Sequence, residues 1–350
     1  MKALVYQGPG KIGLENKPKP VIENPTDCIV RITTTTICGT DLHIWKGDIP
    51  EVERGRTLGH EGVGVIEAVG SAVSNFQVND KVLISCITSC GTCSFCKDKM
   101  YSQCIKGGWM LGHKIDGTQA EYVRIPYADT SLYPIPGNMD EEAAVMFSDI
   151  LPTGYEAGVL KGQIKLGDTV AIIGAGPIGL STLLTAQFYS PEKIFIVDRD
   201  EYRLEVAKRF GATHVINDVD NSAVSAILKM TQQKGVDVAI EAVGTPDAFE
   251  TCQAIIAPGG HIANIGVHGK SVSLHLEKLW NKNITLTTAL VDTFSTPLLL
   301  KMCTGGRLNP SELITHHFAL EELAQAYEVF RNSIEEHSLK VIIKNRYEKS

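Results

Sequence analysis

No stretch of this chain concentrates positive charge. With 33 Lys and Arg against 40 Asp and Glu in 350 residues, the formal net charge is −7. Nucleic acids and anionic membrane surfaces are held by a concentrated positive field, so neither is an expected partner. The N-terminus, MKALVYQGPGK, has neither the apolar stretch nor the small-residue cleavage site of a secretory signal, which makes the cytosol the expected compartment. Long apolar runs are missing too. The most apolar window, Thr169 to Phe188, is interrupted by Gly174, Gly176, Pro177 and Gly179, and reads as strand, turn and helix instead of a membrane span. There is no low-complexity segment and no repeat with a period of about 20–50 residues, which excludes solenoids and propellers.

Cysteine, by contrast, is plentiful. In a chain without an export signal the nine cysteines are expected to be ligands or core residues, because the cytosol keeps thiols reduced. Five of the nine fall between Cys86 and Cys104, a clustering that points to a metal. The length favours two domains, and a 43% hydrophobic content is enough to fill both cores.

The first 130 or so residues carry short β-like runs, CIVRITTT, GVGVIEAVG and DKVLIS, separated by turn residues. Beyond Pro152 strands alternate with helical stretches: TVAIIGAG, IGLSTLLTAQFYS, KIFIVD, EYRLEVAKRFGA, HVIN. The alternation recurs in VDVAIEAVG, DAFETCQAII and GGHIANIGV. Two such halves build a doubly wound parallel sheet that binds dinucleotides. From about Thr296 a helical stretch, a turn at Asn309-Pro310, a helix through Ala319–Asn332 and a strand LKVIIK follow, and this tail is expected to pack on the first domain. The expected boundaries are 1–151 with 296–350 for a β-rich catalytic domain and 152–295 for the dinucleotide-binding domain.

Cys90, Cys93, Cys96 and Cys104 form C-x2-C-x2-C-x7-C on a loop otherwise carrying Lys, Asp, Ser and Thr, a spacing that lets one loop wrap a tetrahedral zinc. All four positions are filled, so the site is closed and structural. A catalytic zinc needs an open coordination position and must come from elsewhere. Upstream, Cys38-Gly-Thr-Asp-Leu-His43 and Gly59-His60-Glu61-Gly62-Val63-Gly64 supply a thiolate and an imidazole, which suit zinc. Taken singly, Cys38 also reads as a small core residue and His60 as a satisfied histidine. Asp41 is placed to accept a hydrogen bond from the far ring nitrogen of His60 and fix its tautomer. Thr40 and His43 are the parts of a proton wire. Gly174-Ala175-Gly176-Pro177-Ile178-Gly179 follows an apolar strand and opens a helix, the context in which G-x-G-x-x-G marks a pyrophosphate turn. Asp198 ends the next strand, where a carboxylate binds the ribose 2′-hydroxyl and disfavours the 2′-phosphate of NADP.

Taken in order, C-G-T-D-x-x-H, G-H-E-G-V-G, the four-cysteine lobe, D-G-T-Q-A-E-Y and G-A-G-P-I-G make the whole chain resemble the zinc-containing medium-chain alcohol dehydrogenases. GGWMLGHKIDGTQAEY and EEAAVMFSDILPTG are most similar to the bacterial branch acting on short primary and secondary alcohols. The resemblance implies an α/β chain, with a GroES-like catalytic domain and a Rossmann domain, two zinc ions, NAD, a small alcohol, aldehyde or ketone substrate and a homotetramer. It implies that Cys38 and His60 hold the catalytic zinc, and that the third ligand falls on Asp149 where a cysteine stands in many members, with Glu61 able to exchange onto the metal. Thr40 and, through the nicotinamide ribose, His43 carry the proton away. Thr153 sits beside the nicotinamide, Arg203 supports the adenosine ribose and Arg199 covers the adenine, while Val243 and Lys340 complete the cofactor set. Cys86, Ile87, Trp109 and Leu290 match pocket positions.

Three other readings compete. A zinc-free quinone or enoyl reductase shares the two-domain layout but lacks Cys38, His60 and the cysteine lobe. A polyol, threonine or formaldehyde dehydrogenase of the same zinc family keeps every motif and differs only in pocket and loops. A zinc-ribbon nucleic-acid binder would need basic and aromatic residues around the cysteine loop, and the chain is acidic.

Overall fold

A computed structural model describes residues 1–137 and 139–345. The chain separates into two compact units, Met1–Asp149 with Asp292–Ser350, and Ile150–Val291.

The first unit is built on a seven-stranded sheet. Along it run Ile314–Ala319, Lys340–Lys344, Cys28–Thr36, Gly62–Val69, Lys81–Ile84 and Leu132–Pro134, and Tyr122–Ile125 pairs separately with Cys28–Thr36. The β-branched run CIVRITTTT makes the central strand, buried along most of its length, as expected of a strand covered on both faces. The C-terminal tail enters this sheet, with Ile342 opposite Thr36 and Lys344 opposite Thr34 in antiparallel register. Two elements carry no clear sequence signal. One is the hairpin Lys2–Gly8/Lys11–Asn16, turning at Pro9 and Gly10; the other is the strand Ile314–Ala319, parallel to Lys340–Lys344. Because that strand ends at Ala319, the following helix spans Leu323–Arg331 and does not begin at Ala319 as its pattern suggested. Between them lies a tight turn, Leu320–Glu322, where the Glu322 carboxylate accepts the Ala319 N–H at 2.7 Å.

The second unit is a six-stranded, all-parallel sheet in the order His214–Asn217, Lys193–Asp198, Thr169–Ile173, Val236–Glu241, Ile256–Asn264, Thr285–Thr288. Counted from its first strand this is 3-2-1-4-5-6, the doubly wound order expected from the alternating pattern. The order reverses between Thr169–Ile173 and Val236–Glu241, and in such sheets ligands bind outside the carboxyl ends of the strands at that reversal. Among the described residues no helix is long and apolar enough to cross a membrane.

Candidate active site and metal centres

The sheet of the first unit delivers its functional side chains from strand ends. Cys38 lies just beyond the strand Cys28–Thr36 and caps the helix Gly39–Lys46, while His60 and Glu61 immediately precede the strand Gly62–Val69 paired with it. Asp149 comes in from far along the chain. The ligand atoms of Cys38, His60, Glu61 and Asp149 all lie within 4.8 Å of one another, and the group is shielded from solvent. Asp149 is central, its Oδ2 3.5 Å from Cys38 Sγ and 3.4 Å from His60 Nε2. Thr40 Oγ1 stands 3.8 Å from the same sulfur. His43 Nδ1 pairs at 2.9 Å with Asp48, an exposed carboxylate that no sequence motif marks.

The electrostatics are those of donors waiting for a cation. Burial pushes the Cys38 thiol up, and the neighbouring Asp149 charge pushes it further. Burial likewise raises Glu61 and Asp41, against the pull of Lys340 on the first and His60 on the second. Burial works to lower His60, but Asp149 and Cys38 hold it well above the usual histidine range. Glu61 Oε1 and His60 Nδ1 are buried with no hydrogen-bond partner among the described residues. Thiolate, imidazole and carboxylate oxygen converging on one point, with too little positive charge to satisfy them, fit a single zinc ion.

One placement differs from expectation. His60 Nδ1 faces Asp41 Oδ1 at 3.7 Å, beyond hydrogen-bond reach. Asp41 uses its other oxygen to accept from the Cys38 N–H (2.9 Å) and Gln119 Nε2 (3.1 Å), and Gln119 Oε1 accepts from the buried Tyr327 hydroxyl at 2.8 Å. Lys340, assigned to the cofactor by resemblance, is 1% exposed, with its ammonium 2.6 Å from Glu61 Oε2 and 3.0 Å from the Ile37 carbonyl. The ammonium is paired with Glu61 inside the first unit. A lysine in an apolar strand, LKVIIK, was the available signal that a buried acid awaited it.

The second cluster is the four-cysteine loop, whose sulfurs also lie within 4.8 Å of one another. Cys93 and Cys96 sulfurs are 3.5 Å apart and those of Cys90 and Cys96 4.0 Å, too far for disulfides. They bracket the edge of roughly 3.8 Å that a tetrahedron with Zn–S bonds of about 2.3 Å requires. Burial opposes thiolate formation at Cys90, but the Thr92 hydroxyl and the N–H groups of Thr92 and Cys93 win and bring it down to about 6. Backbone N–H groups of Cys96 and Ile105 lower Cys93. Donors aimed at sulfur before any metal arrives suit a thiolate zinc site, and the residues fit it.

In the second unit the pyrophosphate turn is shaped as its glycines require. Gly174 has φ of 107°, and a Cβ on Gly179 would lie 1.9 Å from the Gly174 carbonyl oxygen. A Cβ on Gly176 would meet only the Arg203 guanidinium, at 3.7 Å, so space is left above the turn. The helix Pro177–Ala186 opens there with Pro177 at its first position, Ile178 in its first turn and, among the described residues, no side chain capping its N-terminus. Free N–H groups, positive helix potential and an open glycine cradle fit a dinucleotide pyrophosphate. Asp198 ends its strand as expected, accepting from the N–H groups of Ala175 (2.6 Å), Arg199 (2.8 Å) and Asp200 (3.0 Å). Arg203 pairs with Asp200 at 3.5 Å, and Arg199 reaches the Asp218 carbonyl and the Asn221 side chain. Thr153 is half-buried and Val243 half-exposed.

Of the pocket candidates, Trp109 stands edge-on to His60, with ring centroids 6.3 Å apart, and stacks on His113 at 4.3 Å. Cys86 and Ile87 are buried in the same unit; Leu290 is half-exposed on the other.

Comparison with known proteins shows the family. Residues 24–137 match the alcohol dehydrogenase GroES-like domain, and residues 177–301 match the zinc-binding dehydrogenase family. An alcohol dehydrogenase of Cupriavidus necator is 37% identical, over 98% of both chains. The solved apo form of zinc dependent alcohol dehydrogenase 2 from Streptococcus pneumonia is 52% identical, with a TM-score of 0.96 over the whole of both chains. Two structures, each 26% identical, carry nicotinamide cofactors. The rspB alcohol dehydrogenase of E. coli CFT073 holds NADH (TM-score 0.89; 98% of this chain, 99% of that one), and a putative zinc-binding dehydrogenase of Sinorhizobium meliloti 1021 holds NADP (0.87; 98% and 100%).

Proposed function

Because this chain belongs to the zinc-type alcohol dehydrogenase family, we propose that it transfers hydride reversibly between a small primary or secondary alcohol and NAD. The observation that carries the reading is the convergence of Cys38, His60, Glu61 and Asp149 within 4.8 Å, beside the Thr40 hydroxyl. When bound, zinc lowers the pKa of an alcohol hydroxyl and the oxidised nicotinamide receives the hydride.

Cys38, His60 and Asp149 are the zinc ligands in this reading, with Glu61 held back by Lys340. The Thr40 hydroxyl relays the alcohol proton, accepting it as it gives up its own, and His43, paired with Asp48, hands the relayed proton to water. A second zinc on Cys90, Cys93, Cys96 and Cys104 holds the loop. Gly174, Gly176 and Gly179 seat the pyrophosphate, Thr153 and Val243 flank the nicotinamide half, and Arg203 and Arg199 attend the adenosine. Asp198 selects NAD, because a 2′-phosphate would bring up to two negative charges against its carboxylate. Trp109 beside His60 favours small substrates, and the active assembly is a homotetramer.

The test is a panel of short primary and secondary alcohols, polyols, threonine and formaldehyde, each with NAD and NADP, alongside metal analysis. The expected result is two zinc ions per chain and the highest kcat/KM for a short alcohol with NAD. A higher kcat/KM with NADP refutes the role of Asp198, and one higher for a polyol, threonine or formaldehyde refutes the substrate class.

A further inference from the structure

The second unit buries a carboxylate that none of the roles above uses. Glu241 closes the strand Val236–Glu241, with 0% of its surface exposed. It lies opposite Ile173 on one neighbouring strand and Asn264 on the other, at the carboxyl ends where the strand order reverses. Its Oε1 accepts the N–H groups of Val243 (3.0 Å) and Gly244 (2.7 Å). Its main-chain carbonyl accepts those of Ile265 (2.9 Å) and Gly266 (3.2 Å). One residue thus ties down two loops, 242–244 and 265–268. The first leans on the pyrophosphate turn: the Ala242 N–H donates to the Ile173 carbonyl at 2.9 Å, and Val243 Cγ2 would be 2.7 Å from a Cβ on Gly174.

The second oxygen, Oε2, has no hydrogen-bond partner among the described residues and faces His268 Nε2 at 3.4 Å. That ring nitrogen is 2.8 Å from Asn264 Oδ1, and Asn264 Nδ2 donates to the Gly266 carbonyl at 3.0 Å. A carboxylate kept dry is costly, and a neutral packing residue would leave the Val243 and Gly244 N–H groups without their acceptor and the 265–268 loop with its main-chain bonds alone. We propose that Glu241, with His268 behind it, is a positioning residue for the dinucleotide, setting the loops 242–244 and 265–268 that face the nicotinamide half at the strand reversal. The inference rests on the dehydrogenase reading for the identity of the ligand.

The experiment measures NADH binding to the full-length protein by fluorescence titration, together with KM for NAD, KM for the alcohol and melting temperature. Glu241→Ala orphans the Val243 and Gly244 N–H groups and should weaken NADH binding at least tenfold, about 1.4 kcal/mol. KM for NAD should rise far more than KM for the alcohol. Glu241→Gln keeps an oxygen for both N–H groups and should recover most of the affinity. His268→Ala, which removes only the outer partner, should raise the NADH dissociation constant about threefold, and stands in if Glu241→Ala does not fold. Unchanged NADH affinity in Glu241→Ala or in His268→Ala, or a melting-temperature loss in Glu241→Ala that leaves the ratio of the two KM values untouched, overturns the proposal. Wild-type protein that binds no dinucleotide overturns the dehydrogenase reading and this inference with it. Wild-type binding matched by Glu241→Ala overturns this inference alone.

Discussion

The two candidate metal centres of the first unit are built in opposite ways. The four-cysteine site comes from one loop, is uniform in chemistry and leaves Cys90 and Cys93 partly open to solvent. The other gathers Cys38, His60, Glu61 and Asp149 from across the unit, mixes sulfur, nitrogen and oxygen, and is shielded from solvent. A closed set of identical thiolates can only hold its metal. A mixed, crowded set with a spare carboxylate can change coordination, which is what a turnover site requires. Under the proposed function, chain separation and donor variety, more than cysteine count, would distinguish the working centre from the structural one.

The largest expected effect breaks the mixed centre. His60→Ala, or Cys38→Ser, should cut turnover by at least about 10³-fold, because several kcal/mol of charge stabilisation goes with the ion. Metal analysis should show one zinc retained, and the melting temperature should stay close to wild type. Loss of both ions together would erase the proposed division between the centres.

The reverse experiment is Cys93→Ser. Because a structural metal contributes folding energy, melting temperature should fall by roughly 10 °C, the equivalent of about 3 kcal/mol. Turnover per folded molecule should change little. A variant that loses turnover at unchanged stability and metal content would make this loop part of the chemistry.

Within the mixed centre, the proton path can be separated from the metal. Thr40→Ala should slow alcohol oxidation by about 10²-fold, the low end of general acid–base contributions, with zinc content unchanged. Thr40→Ser should restore most of it. His43→Ala should cost only about tenfold, since water can replace a half-exposed imidazole whose partner is the exposed Asp48. Full activity in Thr40→Ala would show the relay to be wrongly drawn.

The same contrast explains what could be read from the sequence. The lobe was legible because its four donors share one loop, and the pyrophosphate turn because strand, glycines and helix are contiguous. The parallel sheet was legible from its alternation of strand and helix. Asp149 emerged only through resemblance, since no spacing rule connects a residue at 149 with residues at 38 and 60. The Lys340–Glu61 pair spans the chain almost from end to end, and the strand ITHHFA carries two histidines that blur its period. Glu241 carries no sequence signal of burial, and only the turn that follows shows why it is buried.

The smallest predicted effect concerns how firmly His60 is held. Asp41 is buried, its Oδ2 engaged by the Cys38 N–H and Gln119, and its Oδ1 3.7 Å from His60 Nδ1. A carboxylate oxygen facing the far nitrogen of a metal-bound histidine orients the ring and raises its basicity, and loss of such a partner costs about 10–100-fold in metal affinity. At 3.7 Å the coupling is weaker than a hydrogen bond, so Asp41→Asn should sit at the lower end, about tenfold. Its amide can keep an oxygen on the Cys38 N–H and limit the structural damage. Tyr327→Phe removes the hydroxyl that donates to Gln119, one step further from the metal, and its effect should be smaller still. Chelator-driven zinc release separates the centres: Asp41→Asn should speed release of one ion and leave the other at the wild-type rate. If both ions leave faster, the variant has loosened the whole unit and Asp41 has no specific hold on His60. If neither does, the 3.7 Å gap is too wide to matter and His60 is oriented by packing against Trp109 instead.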